Sequence, residues 1–196
     1  MQTNRSTGDS LRERLIDTGV ALVDTEGAAT LSLREIARRA GVSHGAPRRY
    51  FPTHLELLSA IARRGFEELG KRVTQALADG DGQAPRTQVA TLAHTYLDFA
   101  ARHRGMYELM FRHDLLESGE LGLRETSLPL FKMLTELIAA ARPDTEPALA
   151  AGALWANLHG VAQLWGWGSL QLAVAVEDIE PLLATVVDAH LGPAPR

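Results

Sequence analysis

Three Ser/Thr-x-x-Glu spacings punctuate the first third of the chain, at Ser10/Glu13, Ser32/Glu35 and Thr53/Glu56. In this arrangement the hydroxyl accepts from the backbone N–H three residues on. The carboxylate reaches back to the N–H of the hydroxyl residue, so each pair marks a helix start. Stops alternate with the starts at Glu26-Gly27, Gly41 and Pro52. Glycine provides the left-handed exit from a helix, and proline cannot continue one. Val and Ile are scattered and do not alternate with polar residues, so strands are not expected. The reading is an all-α chain of about nine helices.

The first helix is expected to open at Ser10, after a disordered polar arm over 1–9, with Leu11, Leu15, Thr18 and Leu22 on one face. Short helices follow at 33–40 and 44–51, the second capped by Ser43. A long connecting helix covers 54–78. Asp79-Gly80-Asp81-Gly82-Gln83-Ala84-Pro85 is a linker by composition. Beyond it, helices are expected at 86–102, 104–112, 120–141 (kinked at Pro129), 145–171 and 177–190, with a loop over 113–119.

Composition removes whole function classes. The chain has no cysteine, which excludes disulfide scaffolds, zinc ribbons, iron–sulfur clusters and thiol nucleophiles. There is no apolar run of the ~18–20 residues a membrane span needs and no hydrophobic signal core, so a cytoplasmic protein without membrane contact is expected. No HExxH, serine elbow, glycine-rich phosphate loop or paired carboxylate spacing points to catalysis, and no cofactor is implied. His94, Asp98 and His103 touch on a metal spacing. Arg102-His103-Arg104 reads more simply as a basic helix end complementing the dipole, and no metal is expected.

Net charge is −4, but the average hides an asymmetry. Residues 1–72 hold 12 Arg/Lys against 9 Asp/Glu, a balance of +3, whereas the rest hold 8 against 15, a balance of −7. Between Ser32 and His54 stand Arg34, Arg38, Arg39, Arg48 and Arg49 against Glu35 alone. A confined basic segment on an acidic body suits a local contact with a polyanion. The turn Ala40-Gly41-Val42-Ser43 between two short helices has helix-turn-helix spacing. The second helix would then enter the major groove, with His44 and Gly45 at its tip and Ala46 behind them. Arg48 and Arg49 would reach phosphates or guanine, and Tyr50 a phosphate. Ser32, Arg34, Ser43 and His54 complete the candidate DNA face. A helical hairpin with a solvated arginine face would share this pattern, as would an all-α carrier, an enzyme or a protein-binding adaptor with a structural N-terminal hairpin.

Residues 10–66 resemble the DNA-binding domain of the tetracycline-repressor (TetR) family of bacterial regulators. The likeness is carried by Ser10-Leu11-Arg12, Thr30-Leu31-Ser32-Leu33-Arg34-Glu35-Ile36-Ala37, Gly41-Val42-Ser43-His44-Gly45-Ala46-Pro47, Tyr50-Phe51-Pro52 and Leu55-Glu56-Leu57-Leu58. The resemblance implies a three-helix DNA-binding module at 10–53. It also implies a helical domain at 54–196 that dimerises and binds a small effector, so that the partners are a palindromic double-stranded operator, a second copy and a small molecule. Two positions depart from the family's usual residues: Arg48 stands in place of an aromatic and His54 in place of a lysine. Because histidine titrates near neutrality, a His54→Lys variant is expected to flatten the pH dependence of DNA binding between about pH 6 and 8.

In the second half, Gly152, Ala156 and Gly160 recur every fourth residue within an expected helix that is apolar nearly all round. Helical glycines cost stability, so such a ridge points to a close helix crossing. With Ile179, Leu183, Val186 and Val187 on the last helix, it forms the expected dimer interface, related by a two-fold axis. Trp155-Ala156-Asn157-Leu158-His159-Gly160 resembles the Trp-His-Gly type of C-terminal domain in this family. Candidate effector contacts are Tyr96, Phe99, His103, Met106, Tyr107, Met110, Phe131, Trp155 and His159. Aromatics and methionines with a few polar tips suit an adaptable apolar site.

Overall fold

A computed structural model describes residues 3–118 and 122–193 of the chain. Ten α-helices appear among the described residues and no strand. They are α1 (Thr3–Glu26), α2 (Leu33–Arg39), α3 (His54–Asp79), α4 (Pro85–Arg102), α5 (Arg104–Met110), α6 (His113–Ser118), α7 (Leu123–Ala141), α8 (Pro147–Gly166), α9 (Ser169–Val174) and α10 (Glu180–Leu191). Short 3-10 turns lie at Ala28–Thr30 and Pro47–Arg49.

The start of α1 corrects the expectation. The helix begins at Thr3, so residues 3–9 belong to it rather than to an arm, and residues 1 and 2 lie outside the described residues. Ser10 is therefore helical on both sides and cannot take the extended conformation of a cap. Glu13 pairs instead with Arg12 and with Arg64 of α3. The other two starts hold. Glu35 N–H donates to Ser32 Oγ at 3.1 Å, and Glu56 N–H donates to Thr53 Oγ1 at 3.1 Å. Residues 113–118 are helical where a loop is expected. The helix expected at 145–171 is divided, because Gly168 takes a left-handed φ of 76° and separates α8 from α9.

The chain forms two compact units, Met1–Glu67 with His103–Ser127, and Glu68–Arg102 with Leu128–Arg196. The division falls inside α3 and returns α5 and α6 to the N-terminal unit, in contrast with the expected boundary at residue 53. The first unit is cored by Leu15, Leu22 and Val23 of α1, Ile36 and Ala37 of α2, Phe51, and Leu57, Leu58 and Ile61 of α3. Gly65 has no side chain because α5 lies against it: a Cβ there would stand 2.5 Å from Met110 Sδ and 2.8 Å from Met106 Cγ. The second unit packs α4, α8 and α10 together through Val89, Ala93, Leu154, Leu158, Leu183 and Val187. Arg142 donates to the His190 carbonyl at 2.9 Å, and Arg86 bonds the Gly192 carbonyl and Asp188, so two cations hold the C-terminal end of α10.

Candidate nucleic-acid interface

The turn after α2 is a Schellman motif. Gly41 has φ 67°, its N–H donates to Arg38 O at 3.2 Å, and Val42 N–H donates to Ala37 O at 3.0 Å. The last carbonyls of α2 are thereby satisfied and the chain reverses sharply.

The segment that follows differs from expectation. Residues 44–51 form a turn and a 3-10 helix over Pro47–Arg49, without a regular α-helix. Pro47 explains this. In an α-helix capped by Ser43, residue 47 is the first whose N–H must donate, back to the Ser43 carbonyl. Proline has no N–H. Ala46 N–H takes that carbonyl at 2.9 Å, which tightens the turn, and Arg49 N–H bonds Ala46 O at 3.2 Å. Ser43 Oγ caps nothing here. The Pro47 ring is buried and anchors the segment.

This backbone leaves Ser32, Arg34, Ser43, His44, Gly45, Arg48, Arg49 and His54 exposed, with Ala46 and Tyr50 half-buried. Among the described residues, the Arg34, Arg48 and Arg49 side chains have no hydrogen-bond or ion-pair partner. Arg38 and Arg39 are engaged. Arg38 makes two bonds to Glu35, at 2.9 and 2.6 Å, and Arg39 bonds Glu35 at 2.9 Å and also Glu26. These bonds hold the Glu35 carboxyl at about 2, well below its ordinary value. Arg12 lies 5.3 Å above the ring of buried Phe51. Sequence reading grouped the five arginines in one short segment. It missed this division of them into free and paired, although Glu35 stands at i+3 and i+4 helical spacing from both partners.

The candidate effector residues fall in different units. Tyr96, Phe99, Phe131, Trp155 and His159 belong to the second. There Tyr96 Oη lies 3.0 Å from His159 Nδ1, the Trp155 and His159 rings are 6.1 Å apart, and Phe131 meets Trp155 edge-on at 6.2 Å. Burial pushes the His159 pKa down, favouring the neutral ring. Phe99 is buried under the Arg72 guanidinium, 5.7 Å away. His103, Met106, Tyr107 and Met110 belong to the first unit. His103 Nδ1 lies 3.5 Å from Asp24, the two methionines pack on Gly65, and the Tyr107 ring meets Phe111 in a tilted contact at 4.9 Å. His94 is paired with Glu180 at 2.7 Å and Asp98 with Arg102 at 2.6 Å.

The candidate interface residues divide as well. Leu183, Val186 and Val187 are buried inside the second unit, because the apolar stripe of α10 faces α4 and α8; they belong to the protomer core. Ile179 is half-buried. Ala156 is exposed, and a Cβ added at Gly152 or Gly160 would meet nothing within 4 Å. Among the described residues, no helix closes over the ridge at either glycine. Leu149 (75% exposed) and Trp167 (63%) extend the same side of α8.

Comparison with known proteins gives the arrangement its family. Residues 15–61 match the bacterial regulatory proteins of the tetR family, and residues 89–190 match the tetracyclin repressor-like C-terminal domain. The chain belongs to the TetR family. Its C-terminal match carries this broader description rather than the Trp-His-Gly type. The HTH-type transcriptional regulator BetI of Serratia proteamaculans is 32% identical over 156 residues, 76% of this chain and 78% of that one. The HTH-type transcriptional repressor KstR of Rhodococcus jostii is 26% identical, over 94% of this chain and 84% of that one. BetI regulators of Yersinia match at 36% identity over 87 residues, 44% of either chain, so the match spans under half the length of these relatives. A solved structure of a protein of unknown function from Rhodococcus superposes with a TM-score of 0.79 at 26% identity, covering 92% of this chain and 93% of that one. TetR-family relatives are named as transcriptional regulators, not enzymes, and no described helix is long and apolar enough to cross a membrane.

Proposed function

We infer that this TetR-family chain is a cytoplasmic, homodimeric repressor that sits on a palindromic operator and leaves it when a small molecule binds the second unit. The observation that carries the reading is the set of exposed, unpaired arginines, Arg34, Arg48 and Arg49, displayed around the Gly41 turn. In this role Arg48 and Arg49 contact phosphates or guanine edges, His44 and Gly45 approach the bases, and Ser32, Ser43, Ala46, Tyr50 and His54 border the contact. The open ridge of Gly152, Ala156 and Gly160, flanked by Leu149 and Trp167, supports pairing with a second copy through α8. Ile179, half-buried at the start of α10, is a further proposed contact. Tyr96, Phe131, Trp155 and His159 are the proposed effector contacts, with two polar tips in an aromatic group. That the relative KstR is a transcriptional repressor by name supports repression over activation.

Two bound protomers must hold their recognition segments about 34–36 Å apart, one turn of the duplex. An effector that binds better to a dimer with another spacing draws the population off the operator. The test is selection of bound duplexes from a random pool by the purified protein. Enrichment of a palindrome whose half-sites are one helical turn apart is the expected result. A folded protein that enriches nothing would refute the reading.

A further inference from the structure

The first unit carries more arginine at its exposed face than it leaves free. Three arginines of α2 reach the surface, and they are not equivalent. Arg34 has no side-chain partner among the described residues. Arg38 grips Glu35 with two bonds, Nε to Oε2 at 2.9 Å and Nη2 to Oε1 at 2.6 Å. Arg39 donates through Nε to the same Oε1 at 2.9 Å, and through Nη2 to Glu26, the last residue of α1. One carboxylate thus occupies two guanidiniums, and a second carboxylate from another helix shares one of them.

Stability is a poor reason for this cluster. Glu35 keeps 28% of its side chain exposed, Arg38 61%, Arg39 39% and Glu26 38%. Ion pairs this exposed contribute little to folding. Position suggests another role. In a helix-turn-helix the first helix, here α2, crosses the phosphate backbone. Cations on it supply the sequence-blind part of DNA attraction, which strengthens binding to every sequence alike.

We propose that Glu35, with Glu26 behind it, is a specificity-determining residue that withholds Arg38 and Arg39 from the DNA backbone. Backbone attraction then rests on Arg34 and on the arginines of the turn segment, so base readout decides a larger share of the affinity. The inference rests on the reading that this face meets DNA. Because Arg38 and Arg39 hold the Glu35 carboxyl at about 2, the restraint stays charged across the working pH range.

The experiment measures the affinity of Glu35→Gln for a random-sequence duplex and for the selected operator, across about 50 to 200 mM salt. The variant is expected to bind random duplex several-fold more tightly at the low end. Its log–log salt slope should steepen by roughly 0.9 for each arginine that gains a phosphate. The ratio of operator to random affinity should fall. Adding Arg38→Gln and Arg39→Gln to that variant should abolish the gain. In the otherwise native protein, Arg38→Gln/Arg39→Gln should leave the slope nearly unchanged while Arg34→Gln makes it shallower. The last comparison decides the matter even if Glu35→Gln fails to fold. Unchanged random affinity in folded Glu35→Gln would overturn the proposal. So would a gain that survives removal of both arginines, or an Arg38→Gln/Arg39→Gln loss equal to that of Arg34→Gln. A native protein with no salt-dependent DNA binding at all would instead overturn the underlying DNA reading, and the proposal with it.

Discussion

The α2–turn segment and helix α8 are built on opposite logic. The signals that shape α2 are local: Ser32 caps it, Ile36 and Ala37 are its buried side, Gly41 follows its end, and the arginines face outward. Helix α8 has almost no polar side to orient it. Leu154, Leu158 and Val161 are buried on one face, while Leu149 and Ala156, with Trp167 just past the helix end, stand exposed on the opposite one. A surface helix of a lone subunit normally has a charged outer face. The contrast is that α2 is specified by local signals, whereas α8 keeps an exposed apolar face, the one proposed above to pair with a second copy.

Substitutions on the two faces of α8 break this comparison most strongly. Ala156→Glu places a charge in the open ridge and should convert a dimer to monomers in sedimentation analysis, with the protomer still folded. Leu158→Ala empties a fully packed site and should lower protomer stability by about 2–5 kcal/mol without first affecting association. If Ala156→Glu leaves the dimer intact, the exposed ridge is not the interface. On the α2 side, Gly41→Ala forces a side chain into the left-handed region and should cost about 1–2 kcal/mol. Ser32→Ala removes the cap and should cost about 1 kcal/mol. Chemical denaturation resolves both, and a cost near zero for either would mean that distant packing, not local signals, specifies the segment.

The smallest effect concerns His159. Burial lowers its pKa in the folded chain relative to the unfolded one. The unfolded state therefore binds the proton more readily, so stability is full above the ordinary histidine pKa of about 6.5 and declines as pH falls below it. Melting temperatures between pH 7.5 and 5.5 should fall on acidification, and less so in His159→Phe. Equal slopes in the two proteins would show that His159 does not contribute.

The same contrast explains what was legible in the sequence. The Ser32 and Thr53 caps, the Gly41 turn and the helical character throughout depend on neighbours a few residues away, and they were readable. The α1 start was not, because a capping spacing at Ser10 means nothing when the helix already runs through it. The 3-10 geometry at 47–49 was available in principle: counting from Ser43 puts Pro47 where the first intrahelical donor is required. Leu183, Val186 and Val187 could not be assigned to core or interface by periodicity, since both demand the same apolar stripe. Tyr96 and His159 are 63 residues apart, and only the packed second unit brings them together.

The proposed function rests on the reading of DNA by the free arginines of the turn segment. It is tested most directly by titrating the selected palindrome with the native protein and with Arg48→Ala/Arg49→Ala at several salt concentrations. The variant should melt like the native protein, since both side chains are exposed and have no partner among the described residues. Its operator affinity should be weaker by roughly 1–3 kcal/mol for each arginine lost from a bidentate contact, with a shallower salt slope. Native-like affinity and slope in the double variant would contradict it.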